Sequence, residues 1–187
     1  MYGNNLGPEG AKAIAPAIRD SRSLTAVDTR FNGIHGEGAE QLAAAVLGSA
    51  SMVTFGKVPI KELRAHALTT LNLSGKALGP TEAIVLAGLL PVSLSLTECT
   101  VRGNDLDITS AKLLAKLATE KRVMLFGIKH HQTEADFRGK GLKPPDAVLI
   151  ANDISVSRSL SRVPARARTF ISHYSANVFF HCDLCDV

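Results

Sequence analysis

The sequence predicts an α/β fold built from repeated strand–turn–helix units. Three observations carry that expectation. A run of spaced aliphatic residues closed by an asparagine, L-x-x-V-x-T-x-x-N-x-I, extends from Leu24 to Ile34. The pattern returns as LTTLNLSGKAL from Leu68 and as LTECTVRGNDL from Leu96. Each copy leads into a segment rich in alanine and aliphatics at helical spacing.

The copies keep a period. Leu24 to Met52, Leu68 to Leu96 and Gln132 to Leu160 are each 28 residues apart. Partial copies begin at Met52 (MVTF) and Leu160 (LSRV), a weaker one (QTEADFRGKGL) at Gln132, and a half copy opens the chain at Asn5 and Leu6. A longer period overlies the first. Asn32 to Asn104 is 72 residues, and Phe55-Gly56 is answered by Phe126-Gly127 after 71. Such periods mark stacked units that bury their apolar faces against one another.

Within a unit, positions three to six form a short strand. Positions one, four, six and eleven point inward: Leu24, Val27, Thr29 and Ile34 in the first copy. The asparagine at position nine sits where the chain leaves the strand. Its amide both donates and accepts, so it can satisfy backbone groups in the turn. Lys76 and Lys140 hold that position in two copies and cannot accept. A looser bend or a bound water is expected there.

Five segments then read as helices: GPEGAKAIAPAIRDS, HGEGAEQLAAAVLGS, GPTEAIVLAGLLPVS, ITSAKLLAKLATEK and KPPDAVLIANDIS. Pro8, Pro80 and Pro144 fall at helix starts, where a missing N–H is harmless. Thr109 or Ser110 is expected to cap the fourth helix, and Pro16 to kink the first. The intervals 52–68 and 123–132 are too short for a strand and a helix. VTFGKVPIKELRAH and MLFGIKHH therefore read as inserted loops or strand-only turns.

This L-x-x-L-x-L-x-x-N-x-L form is the signature of leucine-rich repeats. The 28-residue length and the LGPEGAKAIAPAI helix resemble the ribonuclease-inhibitor-like class, which also occurs in NOD-like receptors and in GTPase activators for Ran. The resemblance spans residues 3–160. It implies an α/β leucine-rich-repeat solenoid, a horseshoe segment with a parallel β-sheet on the concave face and helices on the convex face. Residues 1–163 are assigned to the solenoid and 164–187 to a divergent basic tail, in which TFISHYSANVFFHC reads as one or two strands or as disordered chain. Neither end carries a recognisable capping repeat, which suggests a fragment or a protein that joins something at its ends.

The bulk composition fits this reading. With 187 residues, 45% apolar content, no tryptophan and 5% aromatics, the core must be aliphatic. The 21 basic and 17 acidic residues leave +4, too mild to imply nucleic acid. Cys99, Cys182 and Cys185 are too few and odd in number for a disulfide framework. No secretion signal and no membrane-length apolar run appear, so a cytoplasmic location is expected, with the nucleus second.

The candidate site is the concave face, where positions three, five and seven point outward. Position three holds Ala26, Thr70, Glu98 and Glu134. Position five holds Asp28, Asn72, Thr100 and Asp136. Position seven holds Arg30, Ser74, Arg102 and Arg138. These columns suit a polar protein partner; the plain alternative is a solvated face whose acids and arginines pair with each other. HCDLC offers a single C-x-x-C, short of a zinc set. His130-His131 reads as a loop pair, and RVPARAR as a solvated tail rather than an acidic-partner or import signal. No catalytic motif, metal site or cofactor motif emerges. The leading expectation is a non-enzymatic protein-interaction scaffold, its oligomeric state open. The resemblance supplies two alternatives: a Ran-type GTPase activator, or the sensor fragment of a larger receptor.

Overall fold

The computed structural model describes residues 1–137, 140–157, 159–160, 163 and 165–174. Its elements are α1 (Gly7–Asp20), β1 (Ala26–Val27), α2 (Gly36–Gly48), β2 (Thr54–Phe55), β3 (Val58–Pro59), α3 (Ile60–Arg64), β4 (Thr70–Asn72), α4 (Pro80–Leu89), β5 (Glu98–Thr100), α5 (Ile108–Lys121), α6 (Pro144–Val156) and α7 (Ala165–Tyr174), with strand and helix alternating as far as β2 and again from α3 to α5. The long helices pack in chain order, α1 on α2, α2 on α4, α4 on α5, α5 on α6 and α6 on α7.

The 28-residue period sets the strand register. β1 runs parallel to β2 with Ala26 opposite Thr54, and β4 runs parallel to β5 with Thr70 opposite Glu98. Most inward positions are buried, among them Val27, Thr29, Leu73, Leu78, Leu96, Cys99 and Val101, while Leu24, Leu68 and Leu71 are half-buried. The core is mainly aliphatic, with Leu42, Leu86, Leu114 and Leu149 almost fully enclosed and Phe55 and Phe126 as aromatic members. Small residues let helices approach. A Cβ added at Gly38 of α2 would lie 2.4 Å from the Pro8 carbonyl oxygen of α1.

The strands do not make one parallel sheet. They form a three-stranded sheet, β1-β2-β3, and a separate pair, β4-β5. Residues 52–68 hold no full unit. The chain turns at Gly56 (φ 57) and Lys57, and β3 returns antiparallel to β2 before the short helix α3. A two-residue loop opening on glycine suits such a hairpin. The segment after α5 is strand-like in effect. Met124 bridges Glu98 in parallel, and Cys99 and Val101 donate to the carbonyls of Met124 and Leu125, both at 2.8 Å.

Two turns are held by asparagine amides, in a way the sequence only partly anticipated. Asn104, 8% exposed, accepts the N–H groups of Lys76 (2.9 Å) and Leu78 (3.0 Å) and donates to the carbonyls of Leu73 and Val101. Asn32 does the same 72 residues earlier, accepting from Asn4 and Leu6 and donating to Met1 and Thr29. Each asparagine thus holds the turn of the preceding unit as well as its own. The looser bend expected at Lys76 is corrected accordingly, because the backbone N–H there is supplied with an acceptor from the next unit.

Two local expectations also change. α5 is capped by Asp107, whose carboxylate accepts the Ser110 N–H at 2.7 Å, rather than by Thr109 or Ser110. Residues 165–174 are helix α7, not strand or disordered chain. Alanine and arginine favour helix there, and Ile171 is fully buried in the core. The rest of the tail, residues 175–187 with HCDLC, lies outside the described residues.

Candidate functional site

The outward strand face divides into a locked half and an open half. At the locked end, Arg30 holds Asp28 through two contacts, 2.6 and 2.9 Å, and donates to the Lys76 carbonyl oxygen. Its guanidinium carbon also lies 5.5 Å from the centre of the Tyr2 ring. Only 9% of the Arg30 side chain is exposed. The Arg30 guanidinium keeps the Asp28 carboxyl below the usual range. Arg30 is therefore a strut between units.

In the open half, Thr70 and Asn72 are exposed beside the half-buried Glu98 and Thr100 of β5. Asn72 accepts the Ser74 N–H at 3.0 Å, which shapes the exit of β4. Glu98 pairs with Lys129. Glu134 and Asp136 are exposed and have partners of their own. Arg102 is exposed, and its guanidinium has no partner among the described residues. Arg138 lies outside them. The expected arginine column is thus uneven: Arg30 is engaged and Arg102 is free.

Arg102 stands at a cleft of about 500 Å³. One wall is the turn after β4 and β5, with Ser74, Gly75, Arg102 and Asn104; the other carries Lys140, Lys143 and Asp146 at the start of α6. Phe126 and Phe137, edge to face at 5.9 Å, supply an apolar floor. The cleft lining includes Ser74, Arg102 and Asp136 of the predicted columns; Asp28, Arg30, Thr70, Asn72, Glu98, Thr100 and Glu134 do not line it.

A second cleft, about 180 Å³, surrounds Arg30, Phe31, Glu82 and Asp105. Phe31 has φ 58, in a turn whose counterparts are glycines, Gly3, Gly75 and Gly103. It is 53% exposed and packs edge-on against Tyr2 at 4.9 Å. Glu82 accepts the Gly79 N–H at 3.0 Å, while its other oxygen is buried without a partner. Burial pushes the Glu82 carboxyl up.

The repeat pattern gave no warning of a buried polar pair, Asn152 and Asp153. The turn after Leu125 has no asparagine of its own. The Asp153 carboxylate, from α6, accepts the N–H groups of Leu125, Phe126, Gly127 and Ile128, and the Asn152 amide joins them at 3.0 Å. Burial pushes the Asp153 carboxyl up to about 6, against the pull of these donors. A signal was present: Asn-Asp interrupts the apolar run AVLIANDISV. These residues shape the Phe126 side of the cleft from below.

The described residues offer little for covalent or metal chemistry. Cys99 is fully buried, and burial pushes its thiol up to about 12. His130 and His131 are exposed. Among the described residues no group of three His, Cys, Asp or Glu is placed to hold a metal, and no helix is long and apolar enough to cross a membrane.

Comparison with known proteins agrees with the repeat. Residues 2–15 and 20–43 match the family model described as Leucine Rich repeat. These two segments resemble leucine-rich repeats, and the described elements form an α/β arrangement of helices and short strands. Comparison with curated proteins gave no match. Among solved structures, the chain is similar to the tropomodulin C-terminal domain of Caenorhabditis elegans, with 18% identity over 88% of this chain and 90% of that one and a TM-score of 0.35.

Proposed function

We propose that this chain is a non-enzymatic interaction module of the ribonuclease-inhibitor-like repeat class, and that it receives a partner protein on the outward strand face. The stacked units form a solenoid segment, and the partner lies across Thr70, Asn72, Thr100 and Arg102 on its concave side. One observation carries this reading: Arg102 is exposed and, among the described residues, unpaired at the rim of a preformed cleft, while Arg30, its counterpart 72 residues earlier, is fully engaged. An uncommitted guanidinium on a rigid scaffold is the kind of group that anchors interfaces. Cys99, a buried free thiol, fits a reducing compartment such as the cytoplasm.

Affinity capture from native cell extract tests the reading, with Arg102→Ala as the control. A protein retained by the wild type and lost by Arg102→Ala supports it. Stimulated GTP hydrolysis with small GTPases, in place of capture, would overturn the non-enzymatic assignment.

A further inference from the structure

The polar groups lining the 500 Å³ cleft are unbalanced. Each of its acceptor side chains has at least one partner. The Asn104 oxygen takes two backbone N–H groups, Gln132 Oε1 takes that of Lys129 at 3.3 Å, and Asp146 takes that of Lys143 at 2.9 Å. Asp136 has a partner of its own. The donors are not occupied. The Arg102 guanidinium, the Lys140 ammonium and the Ser74 hydroxyl have no partner among the described residues. Among the described residues the Lys143 ammonium reaches only Asp105, at 3.2 Å, and both side chains are more than half exposed.

We propose that this cleft binds a phosphate monoester on an aromatic ring: the phosphorylated tyrosine side chain of a partner protein. The protein source rests on the function proposed above; the chemistry of the cleft does not. The three cations of the cleft outnumber its two carboxylates, Asp136 and Asp146, so an anion is favoured there, and a guanidinium pairs with phosphate through two parallel N–H bonds. The start of α6 adds no backbone donor at its first two positions, because Pro144 and Pro145 lack N–H groups. The anion is therefore held by side chains. The floor of Phe126 and Phe137 then selects the body that carries the phosphate. A ring packs edge-on against such a pair, whereas a phosphorylated serine leaves it uncovered. The volume also matches pockets that take groups of this size, about 300 to 1,000 Å³.

The test is calorimetric titration of the full chain with phenyl phosphate, inorganic phosphate and N-acetyl-O-phosphotyrosine amide. Phenyl phosphate and the blocked amino acid are expected to bind at least tenfold more tightly than inorganic phosphate. Arg102→Ala is expected to weaken both tenfold or more, with an unchanged circular dichroism spectrum. Phe137→Leu is expected to narrow the preference over inorganic phosphate. No saturable binding, equal affinity for inorganic phosphate, or indifference to Arg102→Ala would overturn the proposal. Binding of phenyl phosphate without the blocked amino acid would overturn the protein source. If the probes bind and no protein is captured, the cleft chemistry stands and the interaction reading falls. If capture succeeds and the probes do not bind, the reverse holds.

Discussion

The side-chain oxygen of Asn104 accepts the backbone N–H of Lys76 at 2.9 Å, across 28 residues of chain. The same amide donates to Leu73 and Val101. One side chain thus ties two units together at a turn that no strand reaches. Asn104→Ala would leave these groups unpaired and is expected to lower stability by about 1 to 3 kcal/mol in urea unfolding. Asn32→Ala is expected to cost less. Its partners Met1, Asn4 and Leu6 belong to the first few residues, where Met1 and Asn4 are exposed and water can replace the amide. Equal losses would show that the first half unit is as firmly closed as the later ones.

Asp153 and Glu82 give the chain an expected pH dependence. Burial raises both carboxyls in the folded state, Asp153 from an ordinary 3.8 to about 6. Between these values the folded form holds a proton that the unfolded form has lost. Stability therefore falls as pH rises from about 4 to 6. Asp153 alone sets an upper bound of about 3 kcal/mol on the change, at about 1.4 kcal/mol per pKa unit. Asp28 and Glu37, held low by Arg30 and Lys12, act with the opposite sign below that window. Asp153→Asn should flatten the slope. Stability that climbs with pH over this range would mean that the five donors around Asp153 outweigh its burial.

The two outward arginines should separate stability from binding. Arg30→Ala removes the Asp28 pair, the bond to Lys76 and the Tyr2 contact, and is expected to lose about 1 to 2 kcal/mol. Arg102→Ala touches none of these and is expected to stay within about 0.5 kcal/mol of the wild type. Capture should show the opposite order, with Arg102→Ala impaired. A large drop in melting temperature for Arg102→Ala would contradict its exposed, unpaired placement.

Gly38 marks the closest approach of α1 and α2. Gly38→Ala puts a methyl group against the Pro8 backbone, which cannot rotate away as a side chain could. A loss of about 1 to 3 kcal/mol is expected, the range for overpacked sites. Gly75→Ala probes a different effect. Nothing lies within 4 Å of a Cβ there, but φ is +61°, so only backbone strain of about 1 to 2 kcal/mol opposes it. If Gly38→Ala melts with the wild type, the two helices are free to separate.

The repeat by itself determined the strand register, most of the inward residues and five of the seven described α-helices. Period and apolar spacing suffice for that, because each unit repeats the same local choices on its neighbour. Asn32 and Asn104 were legible for the same reason. α7 was not, because its helix depends on burying Ile171 against the core as well as on local propensity. Nor was the hairpin at Gly56, which replaces a unit and splits the sheet. The site divides in the same way. Alternation along the strands placed Arg30 and Arg102 at one repeat position with equal standing. Only the folded chain adds Lys76 and Tyr2 to the Asp28 pair around the first and leaves the second without a partner among the described residues, because Lys76 and Tyr2 come from other units and no spacing in the sequence encodes their meeting with Arg30.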